Sequence, residues 1–177
     1  NNKEGAQLTR LFFVRHGKTQ WNLEGRYQGA NGDSPLLPES YEQIHQLAGY
    51  LKGTHFAHCY ISPLPRAQAT ANTLLQDLNE NIPTTTTVGM REFNLGKMEG
   101  MKFTDVAKKY PKELHAFRAA PDDYDPTAIE GETFPDLIKR MQPVVLDAVA
   151  KDVTGEENLL FVSHGAALVA LIQSLLG

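Results

Sequence analysis

The chain has 177 residues and a mass of 19.6 kDa, a length that suits one domain with a single sizeable core. Hydrophobic residues make up 41% and charged residues 21% of it, which excludes a disordered or fibrous protein. The net charge is −4 and no basic run is present, so we expect no nucleic-acid partner. The apolar runs, such as Leu159 to Val162, are too short to cross a bilayer, so we expect no membrane partner.

A single cysteine, Cys59, excludes an internal disulfide framework and a site with several thiolate ligands. Because the chain also opens without a signal-peptide pattern, we predict a reducing, cytoplasmic location. Residues 1–10 are polar and without periodicity, and we interpret them as a disordered tail or remnant. Residues 11–177 are predicted to form one domain.

Apolar strands and amphipathic helices alternate along this domain, which predicts an α/β fold with a largely parallel sheet. In chain order we predict a strand at 11–14, a loop over 24–40, a helix over 44–51, a strand at 59–61, a helix over 67–78, a β-prone segment at 85–88, an irregular segment at 91–102, two helices within 104–119, a loop over 120–131, a helix over 134–149, a strand at 159–162 and a helix over 166–176.

Three residues mark where these helices begin or bend. Ser62 precedes the second helix and is a natural N-cap residue for it. Thr133 is predicted to cap the long helix, in a capping-box pattern with Asp136. Pro143 lies inside that helix and is expected to kink it.

Two of the apolar strands end in a histidine followed by a glycine, in Arg15-His16-Gly17 and Ser163-His164-Gly165. Ligands of α/β sheets bind beyond the carboxyl ends of strands, so both imidazoles are expected at one functional edge. A third strand is followed by Arg66, in the first turn of a helix whose N-terminus favours anions. Two imidazoles, two guanidinium groups and a helix N-terminus together predict a site for a dianionic phosphate.

A series of short motifs runs through the chain from residue 11 onward. They are Leu11–Asn22 (LFFVRHGKTQWN), Gly25–Gly29 (GRYQG), Asp33–Leu36 (DSPL), Ser62–Ala67 (SPLPRA), Arg91–Gly96 (REFNLG), Gly131–Thr133 (GET) and Val162–Gly165 (VSHG). In this order the motifs resemble the histidine phosphatase superfamily, in its phosphoglycerate-mutase-like branch. The resemblance implies a three-layer α/β sandwich with a mostly parallel central sheet. It also implies a further strand and a tail beyond Gly177.

The resemblance implies a role for each residue of the predicted site. His16 matches the nucleophile that attacks phosphorus and becomes a phosphohistidine. Glu92 matches the acid that protonates the leaving oxygen and then the base that activates water. The residues that match the family's contacts to the phosphoryl group and the rest of the substrate are Arg15, Arg66, His164, Asn22, Gln28 and the backbone of Gly165.

Elementary chemistry agrees with these roles. A neutral imidazole is a competent nucleophile near neutral pH, and a covalent intermediate divides one difficult displacement into two easier ones. The arginines supply the positive charge that magnesium supplies in other phosphoryl-transfer sites, so we expect neither a metal nor a cofactor. The expected partner is a small phosphorylated metabolite.

Three functions remain open at this point. We favour a phosphatase acting on small phosphomonoesters, because the segment from Glu92 to Gly131 holds no long insertion to shield a phosphoenzyme from water. The alternative enzyme is a cofactor-dependent phosphoglycerate mutase. An alternative of another class is a non-catalytic protein that binds a phosphorylated ligand, although the presence of His16, Glu92 and His164 argues against it. The sequence names neither the substrate nor the oligomeric state.

Overall fold

A computed structural model describes residues 8–177 of the chain. Its strands are β1 (Arg10–Arg15), β2 (Phe56–Ile61), β3 (Thr84–Thr86) and β4 (Asn158–Ser163). Its α-helices are α1 (Gln20–Glu24), α2 (Pro38–Leu51), α3 (Pro65–Leu78), α4 (Phe103–Lys109), α5 (Pro111–Ala119), α6 (Phe134–Lys151) and α7 (Gly165–Leu176). Short 3-10 turns cover Val88–Met90, Gly96–Met98, Pro121–Asp123 and Thr127–Ile129.

The four strands form one sheet in the order β1-β4-β2-β3, and every pairing is parallel. The register places Arg15, the last residue of β1, opposite Ser163, the last residue of β4. The two predicted histidines therefore follow neighbouring strands and leave the sheet at the same edge, as the sequence predicted.

Helices cover both faces of the sheet, because side chains of a strand alternate between its faces. On β4, Leu160 and Val162 belong to a core shared with α2 and α3. Leu159 and Phe161 belong to a second core, shared with α6 and α7. This arrangement confirms the predicted three-layer α/β sandwich, and it explains why the strands are apolar without a period of two.

The predicted cap of the second helix is wrong. Helix α3 begins at Pro65, its N-cap residue is Leu64, and no side chain caps it. The residue before a proline is kept out of the helical region, so Pro65 holds Leu64 extended at ψ 139° and moves the helix start beyond Ser62. Thr133 caps α6 as predicted, since it accepts a hydrogen bond from the Asp136 amide at 3.1 Å, but within residues 8–177 no return bond from the Thr133 amide to the Asp136 side chain completes the predicted capping box.

Pro143 does not interrupt the long helix, since α6 continues through it as one element of 18 residues. The predicted tail, residues 1–10, falls mostly outside the described residues, but its last residues belong to the fold. Arg10 is the first residue of β1, and the Thr9 hydroxyl donates a hydrogen bond to Asp152 at 2.7 Å. Among residues 8–177, no helix combines the length and apolar character that crossing a membrane requires.

Candidate active site

The carboxyl ends of the strands open into a cavity of about 600 Å³. All predicted site residues but one line it: Arg15, His16, Asn22, Gln28, Arg66, Glu92 and Gly165. The remaining one, His164, is fully buried next to His16, with 5.1 Å between the centroids of the two rings. Residues separated by up to 150 positions in the chain thus meet at one edge of the sheet.

His16 is held in one orientation by the backbone. Its Nδ1 lies 2.7 Å from the carbonyl oxygen of Gly17. A carbonyl can only accept a hydrogen bond, so Nδ1 carries the ring proton and Nε2 carries the free lone pair. Burial, with a smaller contribution from the positive charges of Arg66 and Arg15, lowers the pKa of His16 to about 4. The ring is therefore neutral at pH 7.

A threonine that the motifs did not reveal fixes the turn after His16. Thr70 of α3 accepts a hydrogen bond from the Gly17 amide at 3.0 Å and donates one to the Arg66 carbonyl at 2.8 Å. Gly17 also packs closely against α2, since a Cβ atom on it would lie 2.9 Å from the Cβ of Ser40. These contacts join the loop after His16 to two helices of the same layer.

The guanidinium of Arg66 is only 2% exposed and is oriented by the loop before α2. Its Nη1 donates to the Gly32 carbonyl at 2.6 Å and to Asp33 at 3.0 Å, and its Nη2 donates to the Gly29 carbonyl at 2.6 Å. Its Nε is buried and has no partner among residues 8–177. The edge formed by Nε and Nη2 therefore keeps donors for a ligand, in the paired geometry that suits phosphoryl oxygens.

The loop that orients Arg66 is itself fixed by Glu99, another residue that the sequence did not reveal. The Glu99 carboxylate accepts hydrogen bonds from the Ala30 amide at 2.7 Å and from the Asn31 side chain at 2.9 Å. It lies so close to Gly29 (φ +64°) that any Cβ there would overlap it. The glycine is therefore required both by its backbone conformation and by this contact.

His164 is polar and fully buried between the strand ends. Its Nε2 lies 2.7 Å from the Ser62 hydroxyl, whereas its Nδ1 has no partner within the described part of the chain. Burial lowers the pKa of His164 well below its usual value, and the charge of Arg66 acts in the same direction. The ring is a neutral neighbour of His16, and one of its nitrogens makes no hydrogen bond to residues 8–177.

Glu92 lies beside the N-terminus of α7. Its Oε1 accepts hydrogen bonds from the amides of Phe93 and Ala167, both at 2.9 Å, while Oε2 accepts none from residues 8–177. Burial raises the pKa of Glu92 above its ordinary value, although these amides and the charge of Arg66 oppose the shift. The carboxyl group is therefore anchored through one oxygen, and burial favours its protonated form.

The remaining predicted side chains, Asn22, Gln28 and Arg15, also line the cavity. The Asn22 side chain accepts hydrogen bonds from both the amide and the hydroxyl of Thr19, each at 3.0 Å. The Gln28 Oε1 accepts a hydrogen bond from the Ser34 hydroxyl at 2.9 Å. In each amide the oxygen is therefore occupied, and the nitrogen makes no hydrogen bond to residues 8–177. Arg15 is exposed and lies against Gly165, where a Cβ atom would be 3.2 Å from its Nε.

Aromatic side chains form part of the cavity lining, called the aromatic wall below. Its rings come from Tyr27, Phe93, Phe103, Phe117 and Phe134. Arg118 of α5 adds a cation to this wall and donates a hydrogen bond to the Tyr27 hydroxyl at 2.7 Å. No spacing rule links these residues in the sequence, because they lie on five different segments that only the fold brings together.

Comparison with known proteins agrees with this geometry. The family model of the histidine phosphatase superfamily, branch 1, matches residues 11–177, and the chain belongs to that superfamily. The predicted family, and with it a phosphatase acting through histidine, is confirmed.

Three relatives illustrate the range of this superfamily. The chain is 35% identical over 171 residues to a broad-specificity phosphatase of Saccharomyces cerevisiae, covering 94% of this chain and 70% of the relative. It is 30% identical over 172 residues to a 2,3-bisphosphoglycerate-dependent phosphoglycerate mutase of a Methylobacterium species, covering 94% and 80%. A mycobacterial glucosyl-3-phosphoglycerate phosphatase, solved as a complex with VO3, superposes with a TM-score of 0.83 at 27% identity, covering 95% and 82%. Both phosphatases and mutases are thus among the relatives.

Proposed function

We propose that the chain hydrolyses small phosphomonoesters through a phosphohistidine formed at Nε2 of His16. The observation that carries this proposal is the hydrogen bond from His16 Nδ1 to the Gly17 carbonyl. This bond places the ring proton on Nδ1 and leaves the lone pair on Nε2, the nitrogen that attacks phosphorus in the proposed reaction. Arg66 lines the same cavity with an unoccupied pair of donors. These two observations support His16 as the nucleophile and Arg66 as the receptor for the phosphoryl oxygens.

In the first step, the lone pair of His16 Nε2 forms a bond to phosphorus while the bond from phosphorus to the ester oxygen breaks. The electron pair of that bond stays on the departing oxygen, and Glu92 gives it a proton from Oε2. The alcohol leaves and Glu92 becomes a carboxylate. The phosphohistidine keeps the proton on Nδ1, which continues to donate its hydrogen bond to the Gly17 carbonyl. The raised pKa of Glu92 suits this role, because the acid must hold its proton until the ester breaks.

In the second step, a water oxygen attacks phosphorus and transfers a proton to the Glu92 carboxylate. The bond between nitrogen and phosphorus breaks, and its electron pair returns to His16 Nε2. Inorganic phosphate leaves, and both residues recover their starting protonation. Charge on the moving phosphoryl group is balanced by Arg15, Arg66, the free His164 nitrogen and the amides at the start of α7.

The aromatic wall favours a phosphatase over a mutase acting on phosphoglycerate. A phosphoglycerate is small and fully polar, and aromatic rings stabilise ligands that bury apolar surface. We therefore propose that the substrate has one phosphoryl group, which binds at the end of the cavity near His16. Its remaining portion is apolar or aromatic and packs against the aromatic wall. The cytoplasmic location predicted for the protein is part of the same proposal, since phosphorylated metabolites are found there.

The test is a phosphate-release assay with p-nitrophenyl phosphate and a panel of aryl, alkyl and sugar phosphates, run beside the His16→Ala variant. We expect turnover by the wild-type protein, formation of an acid-labile phosphoenzyme, and loss of both in the variant. Turnover no greater than that of the variant would instead support the non-catalytic binding protein.

A second assay separates the two enzymes. The protein is incubated with 3-phosphoglycerate, with and without bisphosphoglycerate, and both isomerisation and phosphate release are measured. Efficient isomerisation with negligible release of phosphate would overturn the phosphatase proposal. Because arginines supply the positive charge in this scheme, EDTA is expected to leave turnover unchanged.

A further inference from the structure

The acid of the proposed reaction lies on a segment that has little secondary structure of its own. Between the end of β3 and the start of α4, the chain forms only two 3-10 turns, Val88–Met90 and Gly96–Met98. Glu92 lies between them, on extended backbone beginning at Arg91 (φ −68°, ψ 155°). Since neither a helix nor a sheet ladder fixes this stretch, its position depends on contacts from other elements.

Arg140 of α6 supplies several of those contacts, and they lie around Glu92. Its Nη1 donates to the carbonyl oxygens of Gly89 at 3.0 Å and Arg91 at 2.9 Å. Its Nη2 donates to the carbonyl oxygen of Glu92 itself at 2.9 Å. A single side chain thus holds three carbonyl groups of the segment at 3.0 Å or less, including that of Glu92, and a longer bond of 3.4 Å joins Nη1 to the carbonyl oxygen of Val88.

Glu132 orients Arg140, and it also contacts the segment at a position just after Glu92 in the chain. Its two carboxylate oxygens accept hydrogen bonds from Nε and Nη2 of Arg140 at 2.8 and 2.9 Å. Its own amide donates to the Asn94 carbonyl at 2.7 Å. All five N–H groups of Arg140 are therefore engaged within the protein, so Arg140 does not serve as a ligand for substrate.

We propose that Arg140 and Glu132 are positioning residues for the general acid: together they fix the main chain of Glu92 so that its free oxygen reaches the leaving group. The proposal rests on the proposed function, because it requires Glu92 to be the acid. Two further bonds fix the segment from the other side. Ser163 donates to the Met90 carbonyl at 2.6 Å, and the Ala167 amide holds Oε1 of Glu92.

The test compares an alkyl phosphate, whose leaving group needs a proton, with p-nitrophenyl phosphate, whose leaving group does not. The quantity measured is kcat/KM, which reports the steps through departure of the leaving group. Arg140→Lys keeps the positive charge near Glu92, but one ammonium group cannot span a carboxylate and three carbonyls. We expect a loss of roughly 30-fold or more for the alkyl ester and less than about threefold for p-nitrophenyl phosphate, within the range that a general acid contributes.

Glu132→Gln is a second variant of nearly the same shape, for use if Arg140→Lys does not fold. The matched control is Lys139→Gln, which removes an exposed charge from the same helix and is expected to leave both rates unchanged. A purely structural role would lower the melting temperature and both rates together. Equal losses for the two esters would overturn the proposal.

A double-mutant cycle separates this proposal from the assignment of the acid. In a Glu92→Gln background, Arg140→Lys is expected to cause no further loss with the alkyl ester, because the group that it positions is gone. If Glu92→Gln itself affects both esters equally, the assignment of the acid fails. If Glu92→Gln affects only the alkyl ester and the two changes are additive, the assignment survives and the positioning proposal fails.

Discussion

At the scale of single residues, burial acts in opposite directions on the pKa values of the proposed nucleophile, His16, and the proposed acid, Glu92. Burial lowers the pKa of His16 to about 4 and raises that of Glu92, because desolvation penalises whichever form carries charge. One group consequently remains an unprotonated base and the other remains a protonated acid over the same range of pH. This is the combination that attack by nitrogen and protonation of the leaving oxygen require.

The pH dependence of catalysis tests this pairing. For an alkyl phosphate, kcat/KM is expected to fall as pH drops toward the pKa of His16, and to fall again as pH rises past the raised pKa of Glu92. Ionisation of the substrate affects wild-type protein and variants alike, so it cancels when wild-type values are divided by those of Glu92→Gln. That ratio should decrease at high pH, because only the wild-type protein has an acid to lose.

The comparison is made with an alkyl and an aryl ester from about pH 5 to about pH 9. For p-nitrophenyl phosphate the ratio should stay close to one throughout, since that leaving group departs without a proton. A ratio for the alkyl ester that is large but independent of pH would show that Glu92 contributes without giving up a proton.

At the scale of elements, the segment that carries the acid approaches α6 so closely that only glycine fits at one position. A Cβ atom on Gly89 would lie 2.5 Å from the Val144 side chain and 2.8 Å from the Arg140 carbonyl oxygen. The backbone atom cannot move aside without moving the helix. This close approach brings the guanidinium of Arg140 within reach of three carbonyls of the segment.

Gly89→Ala is therefore expected to move the segment away from α6. We expect the free energy of unfolding to fall by roughly 1–3 kcal/mol, as overpacking usually causes. We also expect kcat/KM to fall more for an alkyl phosphate than for p-nitrophenyl phosphate. Gly49→Ala is the control, because no atom lies within 4 Å of a Cβ at this position in α2 and alanine favours the helix. Equal stability of the two variants would contradict the close packing.

The sequence predicted those residues of the candidate site that follow the ends of strands. It did not predict the residues whose place depends on contacts between elements that are distant in the chain. His16 and His164 could be placed because apolar runs define strands, and the ends of parallel strands share one edge. Glu92, as acid, was assigned only through the family motif. Arg140 lies in a regular amphipathic helix, where an arginine is ordinarily an exposed residue, so no local pattern marked its contacts. The cap of α3 was misplaced because Pro65 overrides the preference of Ser62.

At the scale of the whole molecule, the site holds polar and charged side chains in the protein interior, although water would solvate these groups better. Arg66, Ser62 and His164 are all at least 98% buried. Arg66 is compensated by Asp33 and two carbonyls, but the imidazoles reach this environment by remaining neutral. We therefore expect the free energy of unfolding to depend on pH through the same residues that form the site.

The free energy of unfolding is expected to fall in acid because of His16. Between its unfolded pKa near 6.5 and its folded pKa of about 4, the unfolded chain binds more protons, so stability decreases as pH falls. For His16 alone the decrease from pH 7 to pH 5 is about 2 kcal/mol. Glu92, with its raised pKa, acts in the opposite direction, so the effect must be isolated by comparison with a variant.

Urea unfolding of the wild-type protein and of His16→Ala at pH 7 and pH 5 provides that comparison. The wild-type protein should lose about 2 kcal/mol more than the variant, because the variant has no imidazole at this position to protonate. His115→Ala, which removes an exposed histidine of α5, should behave as the wild type does. Equal losses in the wild-type protein and His16→Ala would mean that the folded protein accepts a proton on His16 as readily as the unfolded chain. The neutral nucleophile would then have to be explained by the bound substrate instead of by the fold.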